Sequence, residues 1–179
     1  MNIFAFDPDP EISASYHCDQ HLHKMILESA QMVSTAMIAR GFNLPYLYKS
    51  AYPNHPCTKW AASSNHNILW LCELAFALDD IRQSVSNCGI HASIHPIKLA
   101  RDYIQEEFPY ATHRAVESHV FCGPAIINIR PWDVHQKYRE YYRAKHLGWM
   151  KEKGSGMTWK NREVPEFMAD LIQIGRAHV

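Results

Sequence analysis

The stretch His17-Cys18-Asp19-Gln20-His21-Leu22-His23-Lys24-Met25-Ile26-Leu27-Glu28-Ser29-Ala30-Gln31 decides the fold. Wound as a helix at about 100° per residue, it separates into two faces. Leu22, Met25, Ile26, Ser29, Met32, Val33 and Ala36 form an apolar stripe that faces a core. His17, His21, Lys24, Glu28, Gln31 and Thr35 fall within about 40° of a second line beside it. Lys24 precedes Glu28, the weaker order for a helix-surface ion pair, whereas a solvated face usually carries the stronger one. An amine, a carboxylate and two imidazoles on one ridge form a candidate acid–base site. The other reading is a solvated face carrying one or two structural histidines.

Outward from this helix the chain is punctuated by ten prolines. Toward the N-terminus, Asp9-Pro10 supplies an N-cap and a first-turn proline, so a helix is predicted from Pro10 to about Arg40, with His17 to Asp19 as the place where it could break. Met1 to Phe6 is a short apolar arm, buried or a lone strand. Phe42 to Cys57 reads as a proline- and tyrosine-rich loop. A second helix should follow from Lys59-Trp60 to about Ile81, with Trp60, Ile68, Leu71, Cys72, Ala75 and Leu78 inward. His95-Pro96 opens a third helix through Phe108. Cys122-Gly123-Pro124 is a turn. Asp133 caps a fourth helix to about Lys151, and Pro165 starts a last short one. The sum is an all-α, compact, single-domain helical fold with a short extended N-terminal arm, covering residues 1–173. The final six residues, Ile174 to Val179, are what the opening of a common sequencing adapter encodes and are read as an appended tail.

The chain has 179 residues, enough for a substantial core, and no formal net charge. That balance is uneven. Arg130 to Arg162 holds nine Lys/Arg against three acidic residues, leaving the rest acidic. A basic segment on an acidic body points to a polyanionic partner. Five scattered cysteines without a C-x-x-C indicate neither a disulfide framework nor a zinc ribbon. With no leader and no membrane-length apolar run, the expected location is the cytoplasm of a bacterial or phage-infected cell.

Two blocks resemble the pyrimidine-dimer DNA glycosylases of the phage endonuclease V type and their bacterial relatives. Cys18-Asp19-Gln20-His21-Leu22 with Glu28 resembles that family's Gln-His-Leu and its catalytic glutamate, which stands seven residues after the histidine, as Glu28 does after His21. Asn54-His55-Pro56-Cys57-Thr58-Lys59-Trp60 is similar to its His-Pro stretch at the start of a long helix. Arg130-Pro131-Trp132 with Tyr138, Tyr141 and Tyr142 looks like its basic, tyrosine-rich tail facing DNA. A second resemblance is to small phage and bacterial proteins that share the His-Cys-Asp-x-His, Lys-Met, Glu-x-Ala-Gln and Asn-His-Pro-x-Thr-x-Trp patterns.

The resemblance implies an N-glycosylase with abasic-site lyase activity through a Schiff base. An α-amine attacks C1′ of the damaged nucleotide while the glutamate handles protons. It calls for no cofactor and no metal, and for damaged or modified double-stranded DNA as partner. The catalytic candidates are Glu28, Lys24, Met1 and His21. The DNA-binding candidates are His17, Gln20, His55, Lys59, Arg130, Trp132, Lys137, Arg139, Arg143 and Lys145. The chain departs from the pattern twice. Asn2 follows Met1 where the family has threonine, and Leu27 stands where it has an arginine before the glutamate. Lys24, one turn before Glu28, is the alternative amine. Two other readings stay open: a non-enzymatic phage accessory or nucleic-acid-binding protein, and a metal-dependent enzyme on nucleotides or modified bases with ligands among His17, Asp19, His21 and His55.

Overall fold

A computed structural model describes residues 1–176, with side chains through Ile172. The reading of Ile174 to Val179 as an appended tail falls at and beyond the end of the described residues. The fold is all-α, and no strand occurs among the described residues. The helices are α1 (Pro10–Ser15), α2 (Asp19–Ala39), α3 (Pro56–Ser63), α4 (Asn65–Ser86), α5 (Ile94–Glu107), α6 (Ala125–Asn128), α7 (Val134–Lys153) and α8 (Glu166–Arg176). Helix α4 lies at the centre, against α1, α2, α3 and α5. None of the helices is long and apolar enough to cross a membrane.

The helix starts follow from their caps. Asp9 accepts hydrogen bonds from the amides of Glu11 and Ile12, and Asp133 from those of His135 and Gln136, satisfying donors that a helix start leaves open. Gly154, at φ 67°, ends α7 in the left-handed conformation that glycine adopts at low cost.

Two predicted helices are each broken in two. The first divides at Tyr16 to Cys18 because the next amides bond elsewhere: Cys18 N–H donates to the Tyr142 hydroxyl (2.9 Å) and Asp19 N–H to the Thr158 carbonyl (2.8 Å). The second divides at Ser64, which is extended and whose Oγ caps α4 through the Asn67 amide.

The N-terminal arm is buried without being a strand. Ile3, Ala5 and Phe6 have no exposed surface. A buried backbone needs partners, and side chains from α1 and α7 supply them. The Ser13 hydroxyl takes the Phe6 amide (3.0 Å) and donates to the Phe4 carbonyl (3.2 Å). His135 Nδ1 donates to the Ala5 carbonyl (2.9 Å), and Arg139 Nε to that of Phe6 (3.0 Å). Phe4 turns the arm at φ 39°, a conformation non-glycine residues rarely hold without support. Its ring is stacked on His21 and Tyr141, and Asn2 Oδ1 accepts from the amides of Ile3 and Phe4.

Tyr138 and Tyr142 of α7 are fully buried and belong to the core, not to a base-stacking surface. The Tyr142 hydroxyl also meets His21 Nδ1 at 2.9 Å and the Cys18 thiol at 3.1 Å. Tyr142→Phe leaves the Cys18 amide without a partner in a dry interior and should cost about 1–3 kcal/mol in urea unfolding. An unchanged midpoint would show that the junction of α1 and α2 does not depend on this hydroxyl.

Candidate active site at the N-terminal amine and Glu28

Half of the polar line is covered. His17, His21 and Thr35 are buried, so the line is neither a solvated face nor a continuous ridge of reactive groups. The reason is local. The arm lies over the N-terminal half of α2, and the Phe42–Cys57 loop covers Thr35, whose hydroxyl exchanges hydrogen bonds with Ala51. Lys24, Glu28 and Gln31 remain at the edge of the arm.

There the chain's first residue meets Glu28. The Glu28 side chain is 12% exposed; its Oε2 accepts from the Asn2 amide at 2.9 Å and lies 3.7 Å from the Met1 nitrogen. Oε1 lies 3.4 Å from Lys24 Nζ. Two amines therefore flank one carboxylate, but unequally: the Met1 side chain is 3% exposed and that of Lys24 63%. The arm is moored on its far side. Asn2 Nδ2 donates to the Cys122 carbonyl (2.6 Å), and the Thr58 hydroxyl to the Met1 sulfur (3.4 Å). Five surface hollows among the described residues are lined by other side chains.

Lys145 of α7 belongs to this neighbourhood. Partial burial, then the charge of Lys24, lowers its pKa, while Glu28 acts in the opposite sense; its ammonium lies 5.3 Å over the Trp149 ring. His55 caps α3, its Nδ1 accepting from the Cys57 amide (3.2 Å). Burial and the N-terminal cation lower its pKa, and Glu28 raises it. The Cys57 thiol donates to Cys122 Sγ at 3.2 Å. That bond is the first cause of a lowered Cys122 pKa and a raised Cys57 pKa.

His17 and His21 are structural. Burial, first, lowers the pKa of His17 to about 4 and that of His21 to about 2. His17 Nδ1 donates to the Ser13 carbonyl, and full enclosure leaves it no surface for a DNA contact. His21, 3% exposed and bonded to Tyr142, is held as a neutral ring in the core and is not an open acid–base group. Both pKa values are depressed from 6.5, so the unfolded chain binds protons that the folded chain refuses as pH falls through that value. Their contribution to stability is complete above about pH 6.5 and is lost toward the folded-state values, at about 1.4 kcal/mol per pH unit for each ring. Urea midpoints should therefore fall below about pH 6.5. A flat profile down to about pH 4.5 would contradict the enclosure of these rings.

The four residues weighed as metal ligands do not come together. Asp19 is tied to the C-terminal segment through the Thr158 hydroxyl, the Lys160 amide and Arg162, and His17 and His21 are in the core. Gln20 likewise bonds the 156–158 segment.

The basic tail is partly neutralised internally. Arg139 bonds the Phe6 carbonyl and pairs with Asp7 (3.6 Å), and Arg143 holds the Asp170 carboxylate with both terminal nitrogens (2.6 and 2.8 Å). Both line a hollow with Trp132, Gln136, Glu140 and Phe167. Arg130, over the Trp132 ring, and Lys59 are exposed; Lys137 is half-buried. Sequence reasoning missed Asn2 and Cys122 as parts of the site. Their contacts cross 26 and 120 residues and leave no periodic signal.

The all-α fold brings the Met1 nitrogen to within 3.7 Å of a carboxylate on its first long helix. Residues 1–78 match the family model described as pyrimidine dimer DNA glycosylase. The match contains Met1, Lys24, Glu28, His55 and Cys57, and ends within α4. No curated protein and no solved structure matches the chain.

Proposed function

We propose that the protein is a DNA glycosylase that cleaves the N-glycosidic bond of a damaged or modified pyrimidine in duplex DNA, with the N-terminal α-amine as nucleophile and Glu28 as acid–base group. The observation that carries this reading is the 3.7 Å separation between the Met1 nitrogen and Glu28 Oε2. The unprotonated amine attacks C1′ as the N-glycosidic bond breaks, and the departing base gains a proton. Opening of the sugar gives a Schiff base, from which β-elimination can break the 3′ C–O bond. Glu28, within reach of the amine, is placed to take its proton.

The α-amine is favoured over Lys24 on two grounds. An α-amine is intrinsically less basic than a lysine, so more of it is free at neutral pH. Lys24 is mostly exposed, and nothing there removes water from its ammonium. The departure at Asn2 is compatible with this reading in either form of the N-terminus. If Met1 is retained, its nitrogen is the nucleophile. If Met1 is removed, the Asn2 nitrogen, already 2.9 Å from Glu28 Oε2, becomes the free amine. Intact mass distinguishes the two forms.

A gel assay on duplexes carrying a cyclobutane pyrimidine dimer, uracil or an abasic site tests the reading. Cleavage of the dimer duplex above the undamaged control supports it; inertness on all three contradicts it. Binding should also be electrostatic. Affinity for duplex DNA falls steeply with salt, and Arg130→Gln and Lys137→Gln each reduce the slope of log K against log salt by about one. Arg143→Gln, whose side chain is held by Asp170, should leave that slope nearly unchanged. A salt-insensitive interaction would remove DNA as the partner.

A further inference from the structure

We propose that His55, Cys57 and Cys122 bind one thiophilic divalent cation, Zn2+, beside the N-terminal arm. One ring nitrogen and the two sulfurs all lie within 4.8 Å of one another, and theirs is the metal-compatible set among the described residues. Neither cysteine is in a disulfide. Ligands on a tetrahedral zinc are about 3.3–3.8 Å apart, so a shift on the order of 1 Å closes the set. Two thiolates and an imidazole are the donors that favour zinc over magnesium or calcium.

The local chain explains the convergence. Pro56 occupies the first turn of α3 and leaves His55 extended at the N-cap, so His55 and Cys57 flank it at the helix start. Cys122 arrives from the loop before α6, held there by the Tyr138 hydroxyl on its amide (3.2 Å) and the Asn2 side chain on its carbonyl (2.6 Å). Where Nδ1 is the ligand atom, it gives up its 3.2 Å bond from the Cys57 amide for the cation. Both thiols give their protons to solvent, and the dication with two thiolates is neutral overall, which suits a half-buried position. Cys57 is buried while His55 and Cys122 are partly exposed, so a fourth coordination position is left on the open side. The bound cation would tie α3 to the 122 loop and, through Asn2, to the arm that carries the amine.

The test uses the untagged full chain, reduced and stripped of metal. Zinc should bind at one per chain with release of protons. Cobalt should give the intense near-ultraviolet thiolate band and the visible bands of a tetrahedral site. Both signals should be lost in Cys57→Ser and Cys122→Ser and kept in Cys88→Ser, with circular dichroism confirming the fold. If Cys57→Ser does not fold, Cys122→Ser, altered in a loop, gives the decision. The proposal is overturned if the reduced wild type binds no zinc and shows no cobalt spectrum, or if Cys122→Ser binds as the wild type does. It is also overturned if the chain isolates only with a Cys57–Cys122 disulfide and binds no cobalt once reduced. None of these readouts depends on activity toward DNA, so the glycosylase reading and the metal site can fail separately.

Discussion

Glu28→Gln is expected to fold as the parent does and to lose glycosidic-bond cleavage on a dimer-containing duplex by about 10²–10⁴-fold, the usual loss when an acid–base group is removed. The fold should survive because an amide oxygen still accepts from the Asn2 amide, the 2.9 Å bond that seats the arm. The carboxylate charge facing both the α-amine and Lys24 disappears, and with it the proposed acceptor of the nucleophile's proton. Single-turnover cleavage, with urea unfolding as the check on folding, measures both halves. Wild-type activity in Glu28→Gln would remove this residue from the mechanism.

The second large effect is expected at the N-terminus itself. Acetylating the α-amine, or extending the chain ahead of Met1 by one residue, should abolish strand cleavage, a loss of about 10³-fold or more for removal of an activated nucleophile. Lys24→Ala should stay within a few-fold of wild type, because that ammonium is 63% exposed and contributes mainly charge near Oε1. The reverse pattern, a dead Lys24→Ala and an active acetylated protein, would transfer the nucleophile to α2. The Met1 side chain, by contrast, is 3% exposed, and its sulfur accepts from Thr58, so the arm holds the α-amine in place without help from Lys24.

Much of this arrangement can be read from local sequence. Asp9-Pro10 and Asp133 mark helix starts that the structure reproduces, because capping is decided within a few residues. The apolar stripe of α2 is buried as its spacing predicts, with Met25, Ile26, Met32 and Val33 in the core. The polar line is less legible. Helical periodicity places His17, His21 and Glu28 on one side, but it cannot show that the arm covers the first two and stops short of the third. The breaks at Tyr16 to Cys18 and at Ser64 depend on a tyrosine far along the chain and on a serine that caps a new helix. Likewise, the ion pairs of Arg139 with Asp7 and of Arg143 with Asp170 join distant segments and leave no local signal. The partnership of Cys57 with Cys122 joins segments 65 residues apart and has no spacing rule to announce it.

The central claim is that the amine beside Glu28 does the chemistry, and borohydride trapping tests it most directly. The protein is incubated with abasic-site duplex in the presence of borohydride, the adduct is digested, and the modified peptide is identified by mass spectrometry. The account predicts a single reduced cross-link on the α-nitrogen of the N-terminal peptide. A cross-link on the peptide containing Lys24 or Lys145, or no cross-link at all, would contradict it.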